Sequence, residues 1–130
     1  MIVVDASAVL GLLLRTEAAP RIEARLFREL ESWHAPHLVD LEVAQVLRRY
    51  ASTDEISKSR GEQALEDLVD LPLTRYPHDV LLPRIWELRH NVTAYDAAYL
   101  ALAEVLDAPL VTLDARLASA AGHDARVELI

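Results

Sequence analysis

Residues 91–114 read NVTAYDAAYLALAEVLDAPLVTLD: an alanine-rich helix, a turn and a short β-branched run, with Asp96 near the start and Asp114 at the close. Alanines at 94, 97, 98, 101 and 103 leave one flank almost without bulk, so a neighbouring element can approach the backbone and the helix belongs inside a domain. Asp96, Tyr99, Leu100 and Ala103 follow the i, i+3, i+4, i+7 spacing of one helical face, which sets a carboxylate at the top of an otherwise apolar stripe. Asp107-Ala108-Pro109 stops the helix, since the residue before a proline is driven out of the α region. Leu110-Val111-Thr112-Leu113 then reads as a short buried strand running directly into Asp114.

The same order, strand then aspartate then helix, opens the chain. Ile2-Val3-Val4 leads into Asp5-Ala6-Ser7-Ala8 and the leucine-rich run from Val9 to Leu14. Taken singly, each acid has an ordinary structural role: Thr93 with Asp96 three residues later makes a capping-box pattern, and Asp114 before Ala115-Arg116-Leu117 makes a plain N-cap. The repetition is what points further.

Between these ends the pattern alternates. A helix is expected over 21–31, opened by Pro20, with Ile22, Leu26, Phe27 and Leu30 on its apolar side. A short strand follows over 33–35, closed by Pro36. The helix expected over 38–50 carries one residue out of place, for Glu42 lies on the wheel between Leu38 and Val46, inside the stripe that should face the core. A buried, unpaired carboxylate is costly, so Glu42 faces a polar crevice, a partner or a cation, or else sits at the stripe edge and pairs with Arg49. A polar connection over 52–59 precedes a helix over 60–71, and Leu73 to Tyr76, bracketed by Pro72 and Pro77, reads as an edge strand. A helix over 80–90 contains Trp86, and 126–130 forms a last strand. Short β-branched runs alternating with helices indicate an α/β domain with a parallel sheet covered on both faces.

Composition narrows the class. The chain of 130 residues is 52% apolar, enough for one domain spanning 1–130 with an aliphatic core, since aromatics supply only 5%. No cysteine is present, which removes disulfides and thiolate zinc sites. Met1 leads straight into a strand-like run without a basic leader, and no apolar stretch approaches a membrane span, so a cytoplasmic protein without a membrane partner is expected. The net charge of −8 argues against a broad basic nucleic-acid surface. Charge alone does not settle the partner, because every basic residue but Lys58 is an arginine, the side chain suited to bidentate phosphate contacts.

In parallel α/β sheets ligands bind outside the carboxyl ends of the strands, where strand order reverses. Asp5 and Asp114 meet there if their strands are neighbours, and Asp96 and Glu42 can reach the same crevice. Four gathered carboxylates repel one another unless a cation neutralises them, and oxygen-only ligation selects Mg²⁺ or Mn²⁺. Such a site suits metal-assisted hydrolysis of a phosphodiester.

IVVDASAVL, LVDLEVAQVL, TAYDAAYLALAEVL and VTLDARL, in that order over essentially the full length, resemble the PIN-domain family and, within it, the VapC toxins of bacterial toxin–antitoxin pairs. The resemblance implies a three-layer α/β/α sandwich with a mostly parallel sheet, and Mg²⁺- or Mn²⁺-dependent endoribonuclease activity. It implies a catalytic and metal-holding quartet of Asp5, Glu42, Asp96 and Asp114, with the small hydroxyls of Ser7 and Thr112 orienting carboxylates or water. A cognate antitoxin and a homodimer are its implied partners. Some PIN branches carry a further acid two residues past the last aspartate, where this chain has Arg116, which suggests a phosphate contact in place of a second metal ligand. Arg116, Arg15 and Arg89 are the expected RNA contacts. His34 and His37, separated by Pro36, do not make a zinc site. Trp33 and Trp86 are expected in the core or at a subunit interface, Tyr99 in the core, and Tyr95 at the crevice mouth. Two alternatives stand beside this reading: a catalytically silent module of the same fold with the acids as caps, and another aspartate-based phosphoryl enzyme. The latter would want an acid where Ser7 stands.

Overall fold

The computed structural model describes residues 1–130. In chain order the elements are β1 (Ile2–Val4), α1 (Ala6–Leu13), α2 (Ala19–Leu26), β2 (Trp33–Pro36), α3 (Leu38–Ser52), α4 (Lys58–Asp70), β3 (Leu73–Tyr76), a 3₁₀ turn (Asp79–Leu81), α5 (Leu82–Glu87), α6 (Ala94–Leu106), β4 (Leu110–Thr112), α7 (Ala115–Ala118) and β5 (Val127–Leu129). The five strands form one sheet in the order β3-β2-β1-β4-β5, and every pairing is parallel. Helices on both faces complete a three-layer α/β/α sandwich.

Strand order follows from burial. Ile2, Val3, Val4, Leu110 and Val111 are all buried, which is the condition of central strands covered on both faces. The chain moves from β1 outward to β2 and β3, then returns to the opposite side of β1 for β4 and β5. Val3 pairs with Leu110 and Val4 with Val111, so β1 and β4 end level with each other. The chain leaves β1 toward β2 and leaves β4 toward β5, and this divergence opens a crevice above the two strand ends.

The alanine-rich helix lies inside, as its composition requires. Seven consecutive residues of α6, Ala97 to Ala103, are buried, and the helix packs on β1, β2 and α5. It ends at Asp107 in the left-handed conformation, with Pro109 two residues on. Gly11 in α1 permits a similarly close approach: a Cβ there would run into the Ile22 side chain of α2.

Two expectations are corrected and one is narrowed. The second helix stops at Leu26 and does not continue to 31, so Phe27 and Leu30 are exposed and Phe27 instead tilts against Trp33, ring centroids 5.4 Å apart. Half-buried Arg25 is held there by Glu31 and Glu128, which turns the chain toward β2. Residues 80–90 are not one helix but a 3₁₀ turn followed by the short α5, because Pro83 lacks an N–H and fits only in a first turn. Trp86 is consequently 68% exposed and is no part of the core, whereas Trp33 is buried.

Arg15, just past the end of α1, has φ of 50°, and Thr16 N–H reaches back to the Gly11 carbonyl around it. A Cβ in the left-handed region costs about 1 kcal/mol, and the Arg15 link to Glu23 at 3.9 Å is exposed and weak. Arg15→Gly is therefore expected to raise unfolding free energy by about 1 kcal/mol in urea denaturation. A loss of stability would show that the Arg15 side chain contributes more than its backbone costs.

Candidate active site

Asp5 is the best anchored of the acids. Its Oδ1 caps α1, accepting from Ala8 N–H at 3.0 Å and from Ser7 Oγ at 2.7 Å, while Oδ2 accepts from Thr112 Oγ1 at 2.6 Å. The two hydroxyls form a lattice across β1 and β4. Thr112 Oγ1 also accepts from Asp114 N–H at 2.9 Å, and Ser7 Oγ accepts from Leu113 N–H at 2.9 Å. Ser7 and Thr112 therefore orient Asp5 and start the turn that presents Asp114. Asp114 in turn caps α7 through Arg116 N–H at 2.9 Å. Both acids are helix caps and cavity walls at once, so the capping reading and the site reading describe the same geometry.

Glu42 and Asp96 arrive from the helices above the sheet. Asp96 stands in the first turn of α6, whose N-cap Thr93 accepts from Asp96 N–H at 3.2 Å. Glu42 points from α3 toward the same place and does not pair with Arg49. Its partner is Tyr99, whose buried phenol donates to Glu42 Oε1 at 2.7 Å and ties α6 to α3. Tyr99 is core, as its stripe position suggested, but its hydroxyl reaches the acids, a role that periodicity does not reveal. The only sequence signal was its place one turn beyond Asp96 on the same face.

Asp5, Glu42, Asp96 and Asp114 all line one cavity of about 520 Å³, together with Ser7 and Tyr99. Leu10, Leu38, Leu41, Val46 and Tyr95 give it an apolar flank, with Tyr95 exposed at the mouth. Burial pushes the Asp5 carboxyl above its usual range, opposed by the bonds from Thr112, Ser7 and Ala8 and reinforced by the charge of Asp114. Glu42 is raised by burial, pulled back by Tyr99, and pushed again by Asp96 and Asp5. Asp96 is raised by burial and by Asp114, with Arg116 and Thr93 opposing. Burial and the Glu42 charge hold the Tyr99 phenol far above its ordinary range, so it stays protonated and donates to Glu42. The acids thus feel one another's fields.

No three of the chain's His, Asp and Glu side chains are grouped tightly enough to cage an ion as they stand. The donor set nonetheless fits a hard dication: it is oxygen-only, mutually repelling and open to water, and Mg²⁺ is commonly held by one or two carboxylates with several waters retained.

A second, polar recess of about 880 Å³ adjoins this cavity and shares Asp96 as a wall, with Arg89 and Arg116 among its lining residues. Arg15 lines neither space. It sits at the far end of α1, about a helix length from Asp5. His34 is no metal ligand either, since its ring nitrogens are taken by Ser32 Oγ and Tyr76 OH, each at 2.7 Å.

Residues 2–123 match the PIN domain family. The chain is 50% identical over 117 residues to Ribonuclease VapC9 of Mycobacterium tuberculosis, covering 90% of this chain and 88% of the relative. Among solved structures, Mycobacterium tuberculosis VapC20, a sarcin-ricin loop cleaving toxin, superposes with a TM-score of 0.71 at 17% identity, covering 95% of this chain and 97% of that one. A toxin–antitoxin complex from Klebsiella pneumoniae gives a TM-score of 0.69 at 15% identity, covering 92% and 91%.

Two outcomes follow from the geometry. Thr112→Val removes a buried hydroxyl that serves both Asp5 and the Asp114 amide, and is expected to cost about 1–3 kcal/mol in denaturant unfolding; an unchanged midpoint would mean the lattice is dispensable. The Glu42 carboxyl is raised in the fold, so its charged form opposes folding, a penalty absent below about pH 4 and present as pH rises through the folded value. Metal-free Glu42→Gln is thus expected to melt above the parent protein at neutral pH, with the gap closing on acidification. A gap that widens on acidification would contradict this.

Proposed function

The chain belongs to the PIN-domain family, and on that footing we propose that it is a Mg²⁺- or Mn²⁺-dependent endoribonuclease of the VapC toxin type, one domain over 1–130 acting on RNA in the cytoplasm and silenced by a cognate antitoxin. The observation that carries the reading is the convergence of four acids from four separate elements on one cavity at the reversal of the sheet. A silent module with the acids as caps accounts for Asp5 and Asp114 but gives no reason for Glu42, which caps nothing.

Asp5, Glu42, Asp96 and Asp114 would hold the ion. Bound there, a dication supplies charge neutralisation for the phosphodiester and a more acidic water. The protein's own groups do the rest. Ser7 and Thr112 keep Asp5 facing the cavity, and Tyr99 occupies one oxygen of Glu42 so that the other is left toward the interior. Arg116 and Arg89 would meet RNA phosphates from the adjoining recess, and Arg15, about a helix length from Asp5, would meet the strand farther out.

The apolar flank of Leu10, Leu38, Leu41, Val46 and Tyr95 supports an antitoxin segment lying beside the acids. The Klebsiella pneumoniae neighbour, a toxin–antitoxin complex, supports the same partner class. Exposed Val80, Leu82, Trp86 and Val105 on and around the packed pair α5 and α6 support a homodimer.

Asp5→Asn, Asp96→Asn and Asp114→Asn are each expected to lower RNA cleavage at least a hundredfold, with circular dichroism unchanged. Full ribonuclease activity in any one of them, assayed with Mg²⁺ or Mn²⁺ present, would remove that residue from the site, and full activity in all three would sink the assignment.

A further inference from the structure

The recess beside the acids has a chemistry opposite to theirs. Its wall residues include Arg89, His90, Asn91, Thr93, Arg116 and Ser119, and its only carboxylate is the shared Asp96. Two guanidinium groups line one concavity on a chain of net charge −8, and neither is closely held by an acid, unlike three other arginines. Arg25 is bound to Glu31 and Glu128, Arg75 to Asp40, and Arg84 to Glu87 and Glu104. Arg116 is different: its side chain is 97% exposed and its one ion-pair partner, Asp114, is 3.9 Å away. Arg89 has no carboxylate partner at all. Its guanidinium lies 4.6 Å over the exposed Trp86 ring and donates to the Trp86 carbonyl.

The walls are firm. Asn91 and Val92 N–H groups both return to the carbonyl of buried Leu88, and the Asn91 side chain rests on Gly122, where a Cβ would come within 3.0 Å of it. Gly122 has φ of +87°, a left-handed conformation that favours glycine, and a Cβ would also crowd Asn91. The opposite wall continues α7, with Ser119 N–H bonded to the Ala115 carbonyl. A volume of about 880 Å³ with this lining suits a group bearing both an anion and hydrogen-bonding edges.

We propose that this recess is a nucleotide subsite, taking the nucleotide that adjoins the scissile phosphate, with Arg116 on its phosphate and with Asn91 and His90, which line the recess, selecting its base. The inference rests on the ribonuclease reading of the acidic cavity, since a strand whose phosphate lies among the acids leaves across Asp96 into this space. Arg116 sets strength of binding and Asn91 sets preference among bases.

The test has two arms, both on the full chain. In the first, the Asp5→Asn protein is titrated with a short single-stranded oligoribonucleotide of mixed sequence in Mg²⁺, alone and combined with Arg116→Ala, Asn91→Ala or the charge-matched control Arg126→Ala, which lies at the amino end of β5 far from the recess. Arg116→Ala is expected to weaken binding roughly tenfold and to reduce the slope of log affinity against log salt by about 0.7, as for one phosphate contact on a single strand. Arg126→Ala should leave both unchanged, and an equal loss there would reduce the effect to general charge and overturn the subsite. In the second arm the otherwise native protein cuts a randomised single-stranded pool. Asn91→Ala is expected to flatten base preference at one position next to the cut and to raise KM more than it lowers kcat. Intact preference with only the Arg116 effect would leave a phosphate site and overturn the base contact. A native protein that cuts nothing, while Arg116→Ala still weakens binding in the first arm, would fail the ribonuclease reading and spare the recess.

Discussion

The hydrogen bond from Thr112 Oγ1 to Asp5 Oδ2, 2.6 Å long and buried, joins residues 107 apart in the chain. It can form only if β1 and β4 lie side by side in parallel with Val4 opposite Val111. That pairing is the point where the order of strand addition reverses, and it sets the two strand ends level under a single opening. One hydroxyl then fixes three things: the rotamer of Asp5, the Asp114 amide that begins α7, and through Ser7 the first turn of α1. Positions elsewhere in the sheet are set by hydrophobic burial, but the aim of the acids is set here.

Gathering Asp5, Glu42, Asp96 and Asp114 around one cavity opposes folding. Three of the four are raised by burial, and each of those feels at least one other acid. The fold tolerates this through donors placed beneath the carboxylates: Ser7, Thr112 and the Ala8 amide for Asp5, Tyr99 for Glu42, and the α7 amide for Asp114. A core built for stability alone would have an aliphatic residue at 42, between Leu38 and Val46. Departures from local rules of this kind collect where a protein acts on something else.

Much of this was legible in the chain before any coordinates. The repeated order of strand, aspartate and helix located Asp5 and Asp114, and the misplaced acid in the stripe of α3 located Glu42. Alanine spacing marked α6 as interior. Strand order was not legible, because three-residue strands carry no pairing information, and with it the meeting of Asp5 and Asp114 stayed conditional. The Tyr99 hydroxyl was hidden for another reason: periodicity assigns a whole residue to the core and says nothing about where its polar tip ends. Arg15 is close to Asp5 in sequence but a helix length from it in space, a separation that sequence proximity does not convey. Helix ends at Leu26 and Leu82 shifted where tertiary ion pairs at Arg25 and the missing amide of Pro83 overrode apolar spacing.

Whether the four acids behave as one site is decided most directly by titrating Mn²⁺ into the metal-free protein and following the free-ion paramagnetic resonance signal, for the native chain and for single amide replacements of Glu42 and Asp96. If the cavity is a shared dication site, the native protein takes up Mn²⁺ saturably, and each replacement, on a different helix, weakens uptake by roughly an order of magnitude or more. Absence of saturable uptake by the native chain, or uptake indifferent to both replacements, would contradict it.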